Sequence, residues 1–216
     1  MSMLRAGVWD LLLGVQCAGC GCPGLTWCRE CERLVVPDPF EVETGVWASG
    51  EWRGRLRAAI LAWKLGHVAH LDHLFAWHLA AAIVALNPPD SFVLVPVPST
   101  WRSRRERGRH LVGDVCREVV DLLEQQGLTV HVEHAVKLAR QTKDQSGLSA
   151  RDRAGNVRGS MVLRRFVSKP VVIVDDIVTT GSTVSEMKRV LMGGGVEVVS
   201  CVSIAASSPH LNDFSR

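Results

Sequence analysis

Apolar positions change period several times along this chain, and the changes mark its elements. Between Arg53 and Leu86 they recur at helical spacing. Leu56, Ile60 and Trp63 share one face before Gly66, and Leu71, Leu74, Phe75, Leu79 and Ile83 share one after it. Asn87-Pro88-Pro89-Asp90 ends that stretch. Residues 91–96 then form a short apolar run, the pattern of a buried strand. Helical spacing returns in Leu111, Val115, Val119, Leu122 and Leu123, closed by Gln125-Gln126-Gly127. A weak strand is predicted over 128–132. Further strands are predicted over 161–166, 170–174 and 197–206, with a helix over 182–192 between the last two. Residues 139–160 are polar, charged and rich in Gly and Ser, and predict a long loop. Strands alternating with helices place the chain in the α/β class, with a mainly parallel sheet flanked by helices.

The same pattern divides the chain. Residues 1–35 read as a small cysteine-rich module, 36–52 as a linker or an extended edge segment, 53–206 as the α/β domain and 207–216 as a frayed tail. With 216 residues, 47% hydrophobic and 22% charged, the composition is that of an ordinary globular protein. A net charge of +3 suits a phosphate-bearing ligand or a weak nucleic-acid contact, and excludes a basic nucleic-acid-binding tail. No apolar run reaches the length of a membrane span. The first seventeen residues resemble a signal peptide only superficially, since Asp10 interrupts the apolar run and no small-residue cleavage site follows. They read as a short amphipathic helix, and a cytoplasmic location is expected.

Cysteine usage sharpens this picture. Of seven cysteines, five lie between residues 17 and 31. Cys17-Ala-Gly-Cys20 and Cys28-Arg-Glu-Cys31 are two knuckles, and two such turns complete a closed four-thiolate zinc site. A closed site is structural rather than catalytic. Cys22 is a spare that can replace Cys20; unliganded thiols and an iron–sulfur cluster are the other readings. His67, His70, His73 and His78 share a helical stretch without a cysteine or carboxylate arrangement to complete a metal site, and read as surface histidines. Trp63 and Trp77 read as core, whereas Trp101 lies beside arginines and can stack on a base.

The most specific feature is Val171-Val-Ile-Val-Asp-Asp-Ile-Val-Thr-Thr-Gly-Ser-Thr183. An apolar strand ends in Asp175 and Asp176, at the end of a parallel sheet where ligands bind. The turn Thr179, Thr180, Gly181, Ser182, Thr183 offers hydroxyls and backbone N–H groups at a helix N-terminus, which suits a phosphate. Two carboxylates beside a phosphate cradle must face something other than phosphate, such as vicinal ribose hydroxyls or Mg²⁺. A ribose 5-phosphate meets both halves of the motif.

This run resembles the signature of type I phosphoribosyltransferases, which bind 5-phosphoribosyl-1-pyrophosphate (PRPP). The resemblance implies that Asp175 and Asp176 hold the ribose hydroxyls and that Thr179 to Thr183 hold the 5′-phosphate. A four-cysteine module ahead of such a motif narrows the resemblance to the ComF family of competence-related proteins. Lys64 in Ala-Trp-Lys-Leu-Gly, Val95-Pro96-Val97-Pro98, Arg107-Gly108-Arg109-His110 and the series Arg140, Thr142, Gln145, Arg151, Asn156 resemble further family segments. The departures are Arg109-His110, where the family has an aromatic–amide pair, and the short loop between the knuckles.

The likeness implies a pyrophosphate-binding loop over Ser99 to Arg102, and a hood over 139–160 in which Arg140 and Lys143 neutralise the leaving pyrophosphate. Arg102, Arg104, Arg105, Arg107 and Arg109 read either as a solvated helix face or as contacts to pyrophosphate or a nucleic-acid backbone. The implied activity is phosphoribosyl transfer with Mg²⁺-PRPP to an acceptor that the sequence does not specify. The alternative is a PRPP-responsive protein without turnover that handles single-stranded DNA during uptake, together with a competence helicase.

Overall fold

The computed structural model describes residues 16–65, 71–99, 105, 108–139 and 157–207. Helix α1 (Arg29–Leu34) belongs to the cysteine module. It is followed by β1 (Phe40–Glu43), β2 (Val46–Ala48), α2 (Gly54–Lys64), α3 (Asp72–Ala85) and β3 (Ser91–Pro96). Then come α4 (Leu111–Glu124), β4 (Thr129–Val132), β5 (Val136–Leu138), β6 (Met161–Leu163), β7 (Val171–Val178), α5 (Ser182–Gly193) and β8 (Val198–Ala206). Six strands form one sheet in the order β1-β2-β8-β7-β3-β4, parallel except for β1, which pairs antiparallel with β2; β5 and β6 form a separate antiparallel pair.

Strand periodicity sorts the core into two layers. Phe92 and Leu94 of β3, Val172 and Val174 of β7, and Val202 and Ile204 of β8 face one side, under α2, α3 and α4. Val93, Val95, Val171, Ile173 and Cys201 face the other, under α5 and the β5–β6 pair. Central strands buried on both faces are why β3 and β7 read as continuous apolar runs. Helix α3 packs against both α4 and β8, so its Leu74, Phe75, Leu79 and Ile83 are buried, and Phe75 meets the ring of Trp63 at 4.8 Å between centroids. Each such fully buried side chain contributes roughly 1.5–3 kcal/mol.

Several expectations are refined. Residues 36–52 carry β1 and β2, and β2 pairs in parallel with β8 from Val46↔Cys201 to Ala48↔Ser203, so this segment extends the sheet. Strand β5 was not anticipated, because three residues are too few to show a period. The strand predicted at 170–174 continues through both acids to Val178, with Asp175 opposite Ser203 and Val178 opposite Ala206. Trp77 is exposed rather than core. His78, read as a surface residue, is buried on the inner face of α3, where Nδ1 and the Ser49 hydroxyl lie 2.9 Å apart. The predicted N-terminal helix, His67, His70 and the tail from 208 lie outside the described residues.

Burial lowers the His78 pKa to about 4, against the partial compensation of backbone contacts from Val35 and Ser49. Above about pH 6.5 both folded and unfolded chains hold a neutral imidazole. Between about 6.5 and 4 only the unfolded chain takes up the proton, so stability falls as pH is lowered through this window. Acidification from pH 7 to 5 should therefore remove about 2 kcal/mol through this residue. Unfolding free energies from urea titrations at the two pH values should differ by about that much less in His78→Gln; an unchanged difference would assign the acid sensitivity elsewhere.

Candidate ligand and metal sites

The carboxyl end of β7 carries the acidic pair, and strand geometry separates the two side chains. Asp175 shares the α5 side with Val171 and Ile173, while Asp176 shares the side of α2 with Val172 and Val174. Asp175 is only 8% exposed and accepts a 2.9 Å hydrogen bond from the Asp176 N–H. Burial, then the charge of Asp176, push its pKa up to about 7, with Lys64 opposing. Asp176 is half-buried and pairs with Lys64, whose Nζ lies 2.8 Å from Oδ2. The two acids therefore sit in different settings: Asp175 is buried, with its pKa raised to about 7, and lines the turn after β7, whereas Asp176 is half-buried and paired with the Lys64 ammonium.

Lys64 is the contribution that sequence reasoning undervalued. It is the last residue of α2 and stands four positions after Ile60, on the flank of the face marked by Leu56, Ile60 and Trp63. A charged residue that close to a core-facing stripe was the available signal. A hydrogen-bonded chain holds this end of the helix: Trp63 Nε1 donates to Asp72 Oδ1 at 2.6 Å, and Arg109 donates to Asp72 Oδ2 at 2.5 Å and to Asp114 Oδ2 at 3.1 Å. Arg109 thus leaves the arginine run proposed to meet pyrophosphate and becomes a structural clamp.

Beyond β7 the chain turns through Thr179 and Thr180 into α5. Gly181 is the helix N-cap, with φ 68°, and no side chain caps the helix. The first bond of the helix runs from the Ser185 N–H to the Gly181 carbonyl at 2.8 Å, so the amides before it open onto the turn. A Cβ at Gly181 would find only Glu43 Oε1, 3.6 Å away, so the constraint is the left-handed backbone rather than space. Asp175, Ile177 and Thr179 to Val184 line a concavity of about 30 Å³, enough for one small group. The Thr180 and Ser182 hydroxyls lie 2.9 Å apart on its rim. The neighbouring strand ends alongside: the Val97 N–H donates to the Val174 carbonyl at 2.9 Å, which sets half-buried Ser99 on the same end of the sheet. Arg102, Arg140 and Lys143 lie outside the described residues, as do Trp101, Arg104, Arg107 and Arg151.

Mg²⁺ fits poorly as a direct ligand of the pair. Asp176 is occupied by an ammonium, and Asp175 is buried and turned to the other face of the strand.

The cysteines present a different donor set. The sulfurs of Cys17, Cys20, Cys28 and Cys31 all lie within 4.8 Å of one another, with Cys17–Cys31 and Cys20–Cys28 both at 3.6 Å. Four thiolates at about 2.3 Å from one zinc ion stand about 3.8 Å apart, so the cluster matches a tetrahedral metal site. Cys22 is exposed and lies outside the cluster, whereas Cys20 lies within it. The Cys28 N–H donates to Cys17 Sγ at 3.3 Å, and the Cys31 N–H to Cys28 Sγ at 3.5 Å. The module docks through Ala18, Trp27 and Val35, which join the core under α2 to α4, and through Arg55 on Glu30 at 3.0 Å.

Comparison with known proteins agrees with this geometry. The family described as "Phosphoribosyl transferase domain" matches residues 128–213, from β4 through the phosphate turn and β8. "Competence protein F" of Haemophilus influenzae is 37% identical over 116 residues, 52% of this chain and 49% of that protein. "DNA utilization protein YhgH" of Escherichia coli is 35% identical over 122 residues, 56% of this chain and 51% of that protein. The matched region thus spans about half the length of these curated relatives. A mostly parallel sheet carrying this acid–phosphate turn defines a phosphoribosyltransferase-type domain. With the four-cysteine module ahead of it, the chain is ComF-like.

Gly19 gives a direct test of the cysteine cluster. A Cβ there would stand 2.6 Å from Cys31 Sγ and 2.7 Å from the Trp27 ring. Metal analysis should find about one zinc per chain in the parent and in Cys22→Ser, and a clear loss in Gly19→Ala and Cys20→Ser. Zinc that follows Cys22 instead would refute the assigned ligand set.

Proposed function

We propose that the chain binds PRPP across the carboxyl ends of β3 and β7 and transfers its phosphoribosyl group to an acceptor, releasing pyrophosphate. The observation that carries this reading is the uncapped N-terminus of α5, opened by left-handed Gly181 and set beside two acids, one buried and one paired with Lys64. In this reading the 5′-phosphate sits on Thr179 to Thr183, where helix N-terminal amides favour an anion by roughly 0.3–1 kcal/mol. Asp175 tolerates that anion because its raised pKa keeps much of it neutral near pH 7. Asp176 takes the ribose hydroxyls.

Ser99 and Arg102 bind the pyrophosphate, and Arg140 and Lys143 neutralise it as it leaves. The acceptor is a nitrogen nucleophile: its lone pair forms the bond to C1 while the C1–oxygen bond to pyrophosphate breaks, and its proton passes to solvent or a base. The carboxylates support the positive charge that develops on the ribose. Mg²⁺ enters on the pyrophosphate rather than as a resident ion. Zinc is structural, because four thiolates leave no open position.

The relatives' names, a competence protein and a DNA utilization protein, favour a second reading in which the chain handles DNA; we extend it to a PRPP-responsive protein that binds single-stranded DNA beside a competence helicase. Arg57, 5.5 Å over the Trp52 ring, and exposed Arg105 are cations suited to a nucleic-acid backbone. Among the described residues no helix is long and apolar enough to cross a membrane.

Calorimetric titration of Mg²⁺-PRPP into the zinc-loaded chain should give saturable one-site binding, abolished in Asp175→Asn/Asp176→Asn. Gly181→Ala should weaken it about tenfold, through a backbone penalty of roughly 1–2 kcal/mol. A folded parent that fails to bind would discard the PRPP reading. Salt-sensitive binding of single-stranded DNA, weakened in Arg104→Ala/Arg105→Ala, would then favour the second one.

A further inference from the structure

The ion pair between α2 and β7 has a chemistry that neither the phosphate turn nor the acidic pair alone explains. An ammonium has three donors, and Lys64 spends one on Asp176 Oδ2 at 2.8 Å. A carboxylate has about four acceptor sites, and Asp176 gives one to Lys64. Both side chains keep a solvent-facing edge, at 25% and 20% exposure, so unused donors and unused acceptors open side by side. A hydroxyl is both donor and acceptor. One that donates to the carboxylate can accept from the ammonium in the same place, and a second on the adjacent carbon can do the same. A bare phosphate would gain the ammonium but meet the carboxylate, and a divalent cation would gain the carboxylate but meet the ammonium.

The pair is also held in position. Trp63, the residue before Lys64, is fixed by its bond to Asp72, and Asp72 is fixed in turn by Arg109. The last turn of α2 therefore presents Lys64 from an anchored backbone.

We propose that Lys64 is a specificity-determining residue, whose ammonium forms with the Asp176 carboxylate a donor–acceptor pair that reads the vicinal hydroxyls of a ribose ring. This rests on the phosphoribosyl reading of the site and deepens it. Removing one hydroxyl from the ligand strands a donor and an acceptor of the pair, whereas removing Lys64 leaves the backbone of the turn from Thr179 to Thr183 in place.

The test uses ribose 5-phosphate and 2-deoxyribose 5-phosphate, titrated into the zinc-loaded full chain in buffer without added Mg²⁺ or chelator, with inorganic phosphate as the control. The parent should prefer the ribose compound by about tenfold, the worth of roughly one hydrogen bond to a charged group. Lys64→Met should lose most of that preference, read as the ratio of the two sugar affinities so that any change in phosphate affinity common to both cancels. Lys64→Gln retains a donor toward Asp176 and serves as the neutral variant should Lys64→Met fail to fold.

A merely structural ion pair would weaken both sugars and phosphate alike, leaving the ratio unchanged, and that outcome overturns the proposal while sparing the PRPP reading. A parent that binds ribose 5-phosphate without preference for the 2-hydroxyl overturns it too. A parent that binds neither sugar phosphate nor PRPP removes the phosphoribosyl reading, and this inference with it.

Discussion

Placing two carboxylates in succession on a strand buried on both faces is the constraint from which the rest of the site follows. Adjacent positions on a strand point to opposite sides, so the acids cannot share one environment. One must face α5 and the other α2. Toward α5, burial and then the charge of Asp176 raise the Asp175 pKa to about 7. The side toward α2 supplies Lys64, which pairs with Asp176. A single covalent spacing thus places a buried acid of raised pKa beside the turn into α5 and a second, half-buried acid beside an ammonium. That division resolves the conflict between two acids and an adjacent phosphate turn.

Much of this was legible beforehand, for identifiable reasons. The apolar run before Asp175 could only be a central parallel strand, and Gly181 between hydroxyl residues could only be a turn into a helix. Both follow from local rules that tertiary packing had no cause to override. The spacing of Cys17, Cys20, Cys28 and Cys31 was equally local. What escaped notice depended on contacts distant in sequence. Lys64 and Asp176 are separated by more than a hundred positions, and nothing in either neighbourhood names the other. Arg109 looked like part of a free arginine run because Asp72, its partner, lies in another helix. His78 looked exposed among other histidines because the Ser49 hydroxyl that accompanies its burial sits after β2. Short β5 and the edge strands β1 and β2 carry too few residues for a period to register.

Helix α2 joins the two chemical regions of the molecule and is held at each end by a different device. Near its start, Arg55 pairs with Glu30 of α1, and Leu56 packs into the same core as Val35, which caps α1. At its end, Trp63 is bonded to Asp72. An eleven-residue helix is marginal by itself, so its placement comes from these tertiary contacts rather than from propensity. The cysteine module is in turn too small to hold its shape through a hydrophobic core of its own. Its described fold rests on the four-sulfur cluster and on the docking of Ala18, Trp27 and Val35.

These dependences run in one direction. A metal held by the four sulfurs would organise the module, the module packs against the start of α2, and α2 carries Lys64 to Asp176. A closed four-thiolate site performs no chemistry on a ligand, yet it is coupled to the ligand site through one rigid element about 16 Å long. The coupling is mechanical rather than electrostatic, since over such a distance charge effects in water are largely screened. Because the anchor at Asp72 is independent of the module, the far end of α2 keeps its own restraint when the near end is loosened. The phosphate turn is more independent still, since it is built from β7 and α5 on the other side of the sheet. In the proposed reading, the turn assigned to the anion and the ion pair assigned to the sugar are therefore built from different elements, and only the ion pair stands on the helix that the cysteine module contacts.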